Sequence, residues 1–264
     1  MPEQADGQLK GLLARDRRER IAQLLQRQRF VRVDELSQMF QVSEVTIRND
    51  LDSMEKQRLL VRDHGGALAN SELPLTVGFG ERAVICAEEK RRIGEAAAKL
   101  VNPGDIIILD AGTTVMEMAR SLAGISPLTV VTGAMNVATL MGSYPDVSVI
   151  VIGGSLERNT ISTYGAMAER NMSDLVAQKV FLGIHAFELE TGMTDTSIDI
   201  VQVKRAMVRA AREVIVLADS TKWARVAFVK VAPLAVASTI ITDSNLPAEA
   251  RSAIADQGIN LIVA

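Results

Sequence analysis

The sequence predicts an α/β protein built in two parts, and three observations carry that prediction. Residues 15–70 read as short helical pieces, residues 87–264 repeat a strand-then-helix rhythm, and a Pro- and Gly-bearing stretch separates them. The separating stretch holds Ser71-Glu72-Leu73-Pro74 and Gly78-Phe79-Gly80, so a linker is expected over 71–86. Residues 1–14 are polar with acids among the bases, and are expected to form a flexible tail rather than a secretory signal.

Composition narrows the function classes. The chain has 264 residues, 48% of them hydrophobic but only 3% aromatic, so its core must be aliphatic, as buried parallel strands and their covering helices require. One cysteine, Cys86, cannot form an internal disulfide and lacks the company of a zinc site, which fits a reducing compartment. No apolar run reaches the roughly 18–20 residues of a membrane span. A cytoplasmic protein with no membrane partner is expected. The net charge of -3 excludes a uniformly basic surface. Residues 1–70 nevertheless hold 12 Lys/Arg against 11 Asp/Glu, while the remainder holds 17 against 21. A nucleic-acid module needs a basic face, not a basic total.

In the first part, residues 15–29 read as a helix with Ile21, Leu24 and Leu25 on one apolar face. Its run Arg15, Arg17, Arg18, Arg20 is a solvated surface or a phosphate contact. Val31-Arg32-Val33 is extended, and Asp34 is expected to cap a helix over 35–40, with Leu36, Met39 and Phe40 inward. After the turn at Gln41-Val42, Ser43 is expected to cap a third helix running to about residue 57, with Ile47, Leu51 and Met54 buried. The exposed side of that helix begins with Ser43, Glu44, Thr46, Arg48 and Asn49. Arg takes guanine O6/N7 and Asn takes adenine N6/N7 through paired bonds, and recognition helices present such residues near their N-terminus. An ordinary amphipathic helix would show the same pattern. The segment behind the helix favours DNA: Leu59-Leu60-Val61-Arg62 is a strand, and His64-Gly65-Gly66 turns it back as a hairpin. A hairpin directly behind a helix-turn-helix is a wing, and Arg62 and His64 sit where a wing meets the DNA backbone. His64 taken alone reads more readily as structural.

At this point Val42-Ser43-x-x-Thr46-Ile47-Arg48-x-Asp50-Leu51, with Arg62-x-His64-Gly65-Gly66-Ala67 after it, resembles the signature of the DeoR family of bacterial transcriptional regulators. That family usually carries a second arginine where this chain has Asn49, which implies a different operator sequence.

In the second part, Asn102-Pro103-Gly104-Asp105 turns into the apolar strand 106–109. Asp110-Ala111-Gly112-Thr113-Thr114 then leads into a helix over about 115–122. Strand, glycine-and-hydroxyl loop, helix is a cradle for an anion, with phosphate the natural guest. Further strands are expected at 129–132, 147–152, 180–184, 214–218, 240–242 and 259–263, with helices at 136–141, 199–211 and 247–256 between them. This predicts a Rossmann-like, mostly parallel α/β domain whose ligand lies beyond the carboxyl ends of the strands. The polar residues at those ends are Asp110, Gly112, Thr113, Thr114, Thr132, Gly153, Gly154, Asp219 and Lys222. Lys204 reads equally as ligand contact or surface, His185 as contact or satisfied histidine, and Arg205 is left out on helix periodicity.

This half resembles the DeoR sensor domain through Glu89-Lys90 to Ile93-Gly94, Asp110 to Thr114, Gly153-Gly154, Phe181-Leu182-Gly183, Val203 to Met207 and Asp219-Ser220-x-Lys222. Gly133 departs from the family's common Asn. The resemblance relates the fold to ribose-5-phosphate isomerase. It implies a repressor of carbohydrate catabolism genes, released from double-stranded operator DNA by a phosphorylated sugar effector. Reading two half-sites requires a homo-oligomer, a dimer or tetramer. No catalytic residue, metal or cofactor is expected. The alternative is an isomerase-like enzyme with a DNA-binding appendage. It has Asp110 and Asp219 as carboxylates, but His185 and Glu188 stand where the isomerase keeps its acids. An RNA-binding regulator lacks the aromatic platform that stacks single-stranded bases.

Overall fold

The computed structural model describes residues 13–28, 30–56, 59–63, 65–69 and 79–264. The chain divides into two compact units, Met1–Val77 and Gly78–Ala264.

In the first unit, α1 (Ala14–Gln28), α2 (Val33–Phe40) and α3 (Glu44–Lys56) enclose one core with the sheet β1 (Phe30–Arg32), β2 (Leu60–Asp63) and β3 (Gly66–Ala69). The strands run antiparallel in the order β1-β3-β2, with Val31 opposite Ala67 and Arg62 opposite Ala67 on the other side. Ile21, Leu25, Leu36, Phe40, Ile47, Leu51 and Met54 are all buried together. The apolar spacing of three and four along each helix is what brings them to one side. Two expectations are corrected. Helix α2 starts at Val33, one residue before Asp34, because Val33 is itself buried and its N–H bonds the wing at Gly65 O, 2.9 Å away. Asp34 is therefore an exposed first-turn residue, its carboxyl held below the usual range by a hydrogen bond from Arg32. Met39 lies on the exposed side of α2. Ser43 does cap α3, its Oγ accepting the Thr46 N–H at 3.1 Å.

The second unit opens with α4 (Phe79–Val84) and α5 (Ala87–Ala98), so the later part of the expected linker is helical. Phe79 packs on the core, which offsets the poor helix propensity of Gly80. The sheet has seven strands: β4 (Ile106–Leu109), β5 (Leu128–Thr132), β6 (Val147–Val151), β9 (Ala177–Gly183), β12 (Ala211–Leu217), β14 (Thr239–Thr242) and β15 (Asn260–Val263). Their order is β15-β14-β12-β9-β4-β5-β6, and every pairing is parallel. Alternate residues of one strand enter opposite cores: Ile107, Leu109 and Phe181 on the side of α5, α6 (Thr113–Ser121) and α7 (Met135–Met141), and Ile108, Val180 and Leu182 on the side of α8 (Ala166–Met172), α9 (Ile198–Arg209) and α10 (Ala248–Asp256). Burial on both faces is why these strands read as continuous apolar runs.

Two additions are short antiparallel pieces: the hairpin β7 (Ser155–Glu157) with β8 (Ser162–Tyr164), and a small sheet of β10 (Ala186–Glu188), β11 (Gly192–Asp195) and β13 (Val229–Ala232). From β4 the chain steps through β5 to β6 on one side and returns to β9 on the other. The strand order therefore reverses between β4 and β9, the place where open parallel sheets leave a crevice.

Candidate functional site

The first unit presents the exposed face of α3. Ser43, Glu44, Arg48 and Asn49 are exposed and Thr46 is half-buried. Arg48 donates to Glu44 Oε2 at 2.7 Å, one turn back, so its guanidinium lies along the helix. Arg62 is committed elsewhere: it pairs with Asp52 at 3.2 Å and donates to Gly66 O at 3.0 Å, tying the wing to α3. His64 lies outside the described residues. Of the N-terminal arginines, Arg15 and Arg20 are exposed, but Arg17 is buried and donates to Asp50 Oδ2 at 2.5 Å. Arg18 Nε lies 3.5 Å from the other Asp50 oxygen and Arg18 also bonds Ser53 Oγ at 2.8 Å. The acid of the Arg48-x-Asp50 motif thus fastens α1 to α3 and holds the exposed face in place.

In the second unit the strand ends gather charge. Asp110, directly after β4, is buried and accepts from Lys204 Nζ at 2.5 Å and from the Gly183 N–H at 3.1 Å. Lys204, 4% exposed, also donates to Gly183 O and lies 3.4 Å from Asp195 Oδ2. An ammonium has three donors, and these three partners use them all. Burial pushes Asp110 up despite Lys204 beside it. Burial opposes the charge of Lys204, yet Asp110 and Asp195 hold its pKa above the ordinary lysine range. The cavity beside this network, lined by Gly133, Ser162 and Thr163, measures about 10 Å³, room for one water. Lys204 and Asp110 accordingly lock β4, β9 and α9 together, and the structure gives Lys204 no donor to spare for a ligand. Arg205 turns to Lys230 O, at 2.5 Å, and Val231 O on β13.

The Gly133 departure has a local cause. A Cβ there would lie 2.7 Å from Thr163 Oγ1, whose hydroxyl bonds Ile152 O at 2.6 Å. Gly154 likewise lets β8 approach, since a Cβ would meet Tyr164 O at 2.5 Å. The Gly153 N–H bonds Asn171 at 3.0 Å, and buried Thr132 accepts the Ala134 N–H at 3.0 Å. These four residues lie at the ends of β5 and β6. The Gly112 loop is different. Gly112 has φ +143, no side chain caps α6, and Thr113 and Thr114 stand at its first turn. The amides of that turn and the dipole behind them favour an anion.

Beyond the ends of β9 and β12 lies a cluster that sequence reading only partly found. Lys90 on α5, 5% exposed, donates to Arg82 O and Ile85 O, both at 2.6 Å. Burial, with Lys222 adding to it, brings its pKa down to about 8. Asp219 is buried. Burial would raise its pKa, but Lys222, the Thr221 donors and Lys90 together hold it below the usual range. Burial, then Lys222, Arg82 and Lys204, push His185 down to about 4. Arg82 on α4 donates to Asn159 O at 2.7 Å, while its buried Nε has no hydrogen-bond partner among the described residues. Lys90 and Lys222 therefore set positive charge beside Asp219, with Arg82, whose own acidic neighbours are Asp195 and Glu157, and the neutral imidazole of His185 next to them. Lys90 and Arg82 were absent from the expected site. The signal for Lys90 was a lysine at i with buried Ile93 and Ala97 at i+3 and i+7. Arg82 lay in the stretch read as linker.

A winged helix-turn-helix joined to a parallel α/β unit with cations gathered at its strand ends defines a ligand-responsive, DNA-binding transcriptional regulator. Residues 17–73 match the DeoR-like helix-turn-helix domain and residues 85–244 the DeoR C terminal sensor domain. The chain belongs to the DeoR family of transcriptional regulators, a family of regulators and not of enzymes. It is 36% identical over 250 residues to the uncharacterized HTH-type transcriptional regulator YulB of Bacillus subtilis (strain 168), covering 95% of this chain and 96% of that one. It is 31% identical over 244 residues to the HTH-type transcriptional repressor GlcR of the same organism, covering 92% and 93%. Among solved structures, ribose 5-phosphate isomerase A of Methanocaldococcus jannaschii aligns with a TM-score of 0.39 at 17% identity, over 52% of this chain and 55% of that one. No helix among the described residues is long and apolar enough to cross a membrane.

Proposed function

We propose that this chain is a cytoplasmic repressor of carbohydrate catabolism genes, released from its operator by a phosphorylated sugar. The observation that carries the effector class is the pairing of two anion-seeking features. One is the uncapped first turn of α6 with Gly112, Thr113 and Thr114. The other is the group of Lys90 and Lys222 beside Asp219, with Arg82 close to Lys90. A phosphate carries charge enough for both. Asp110, Lys204, Thr132, Gly153 and Gly154 build the crevice rather than grip the ligand.

On the DNA side, Ser43, Glu44, Thr46, Arg48 and Asn49 face the major groove, while Arg62 braces the wing. A homo-oligomer, dimer or tetramer, sets two such helices on paired half-sites. Effector binding then favours a sensor state that misplaces them, with a coupling of about 1–3 kcal/mol, or roughly 5–150-fold in operator affinity. Calorimetric titration of the full chain with a panel of sugar phosphates and their unphosphorylated parents tests the effector class. One phosphorylated compound should bind, its parent should not, and Thr113→Glu should abolish the binding by charge repulsion. Equal binding of the parent sugar would remove the phosphate from the account.

A further inference from the structure

Helix α3 carries one residue that neither its core nor its polar face explains. Val45 is 62% exposed, a β-branched residue in the first turn. At about 100° per residue, the buried side chains Ile47, Asp50, Leu51 and Met54 centre on one direction, and Val45 lies within about 10° of the opposite one. By the same geometry Asn49 stands about 30° to one side of that outward line and Arg48 about 70° to the other. Val45 is thus the outermost side chain at the N-terminal end of the helix. It has no share in the core, and an exposed valine lowers helix propensity relative to alanine.

The Arg48–Glu44 pair, 2.7 Å long, holds the guanidinium on one flank and leaves Val45 and Asn49 as the centre of the face. In a major groove, the residues nearest the outward centre of a recognition helix meet the base edges most directly. The only methyl group that the four ordinary bases of B-DNA offer there is the thymine C5 methyl.

We propose that Val45 reads a thymine methyl, making it a specificity residue of the operator contact beside Asn49 and Arg48. Asn49 suits adenine, so the methyl belongs to an A·T pair at or next to the pair Asn49 reads. The inference rests on α3 being the groove-facing helix of this DNA-binding family. Burying one methyl against another apolar group corresponds to about a three- to fivefold change in affinity.

The test begins with duplexes selected by the full chain from a randomised pool. Each thymine is then replaced in turn by deoxyuridine, which removes the methyl and keeps every hydrogen bond. Wild-type protein should lose about three- to fivefold at one position in each half-site. Val45→Ala, which raises helix propensity and leaves the core intact, should bind the thymine duplex more weakly and be indifferent to deoxyuridine at that position. Its salt dependence should match the wild type, because no phosphate contact is lost. No sensitive position, or a sensitive position unchanged in Val45→Ala, overturns the proposal while leaving DNA binding standing. Failure to select any sequence would instead overturn the groove-facing helix itself.

Discussion

The two units share one way of burying charge and differ in a second. In the DNA-binding unit the buried carboxylate, Asp50, is matched by Arg17 at 2.5 Å and flanked by Arg18, and the residues that face DNA are exposed. In the sensor unit one buried set, Asp110 with Lys204 and Asp195, is likewise closed on itself. A second set places Lys90 and Lys222 beside Asp219 and Arg82 beside Asp195 and Glu157, without the direct ion pairs that join the first. Ion-paired sets build scaffold, and on the proposed function the second set meets the ligand. Motif position alone does not separate them, since Lys204 and Lys222 both stand in matching stretches.

Mutations can break or sharpen that contrast. The largest effects should come from opening a closed set. Asp50→Ala leaves two guanidiniums without their carboxylate and should cost about 3–5 kcal/mol in denaturant unfolding of the first unit. Lys204→Met leaves two buried carboxylates without their cation and should cost the sensor unit a similar amount, also about 3–5 kcal/mol. Lys222→Met should instead change sensor stability by less than about 1 kcal/mol, the scale of a partly exposed charge, and abolish the effector response. Equal destabilisation by the two lysine variants would erase the distinction between them.

On the DNA side, Arg48→Ala should weaken specific binding by about 10–100-fold, the scale of one bidentate base contact, with sensor melting unchanged. A smaller effect comes from pH. Lys90 loses its charge as pH rises through about 8, so effector affinity should fall between pH 7 and 9, by at most about tenfold per unit above the pKa. Calorimetry at three pH values reads the slope, and a flat profile would take Lys90 out of the site. The smallest effect is expected of Arg62→Ala, which removes a partly exposed pair with Asp52 and should cost the wing about 0.5–1 kcal/mol.

Much of this fold was legible because its elements repeat over enough residues to show a period. Ile106 to Leu109 could only be a strand buried on both faces, and Ile47, Leu51 and Met54 only a helix face. The three-residue strands β7, β8 and β10 were not legible, since so short a segment carries no alternation to read. Helix α4 was hidden by Gly78 and Gly80, whose breaking tendency is overridden where Phe79 enters the core. In the site, Gly112 to Thr114 announced themselves through loop chemistry. The Asp110–Lys204 bond joins residues 94 apart, and no local pattern signals such a pair. The same holds for Arg82, which reaches Asn159 O across 77 residues.

The central proposal is that one phosphorylated sugar, held by the set that includes Lys90 and Lys222, releases this protein from its operator. Fluorescence anisotropy of the full chain on DNA from upstream of its own gene, with scrambled DNA of equal length as control, tests it most directly. The account predicts tight binding to the native DNA alone, relieved by a single sugar phosphate in the wild type and not in Lys222→Met. Release by the unphosphorylated sugar, or equal release of wild type and Lys222→Met, would contradict it.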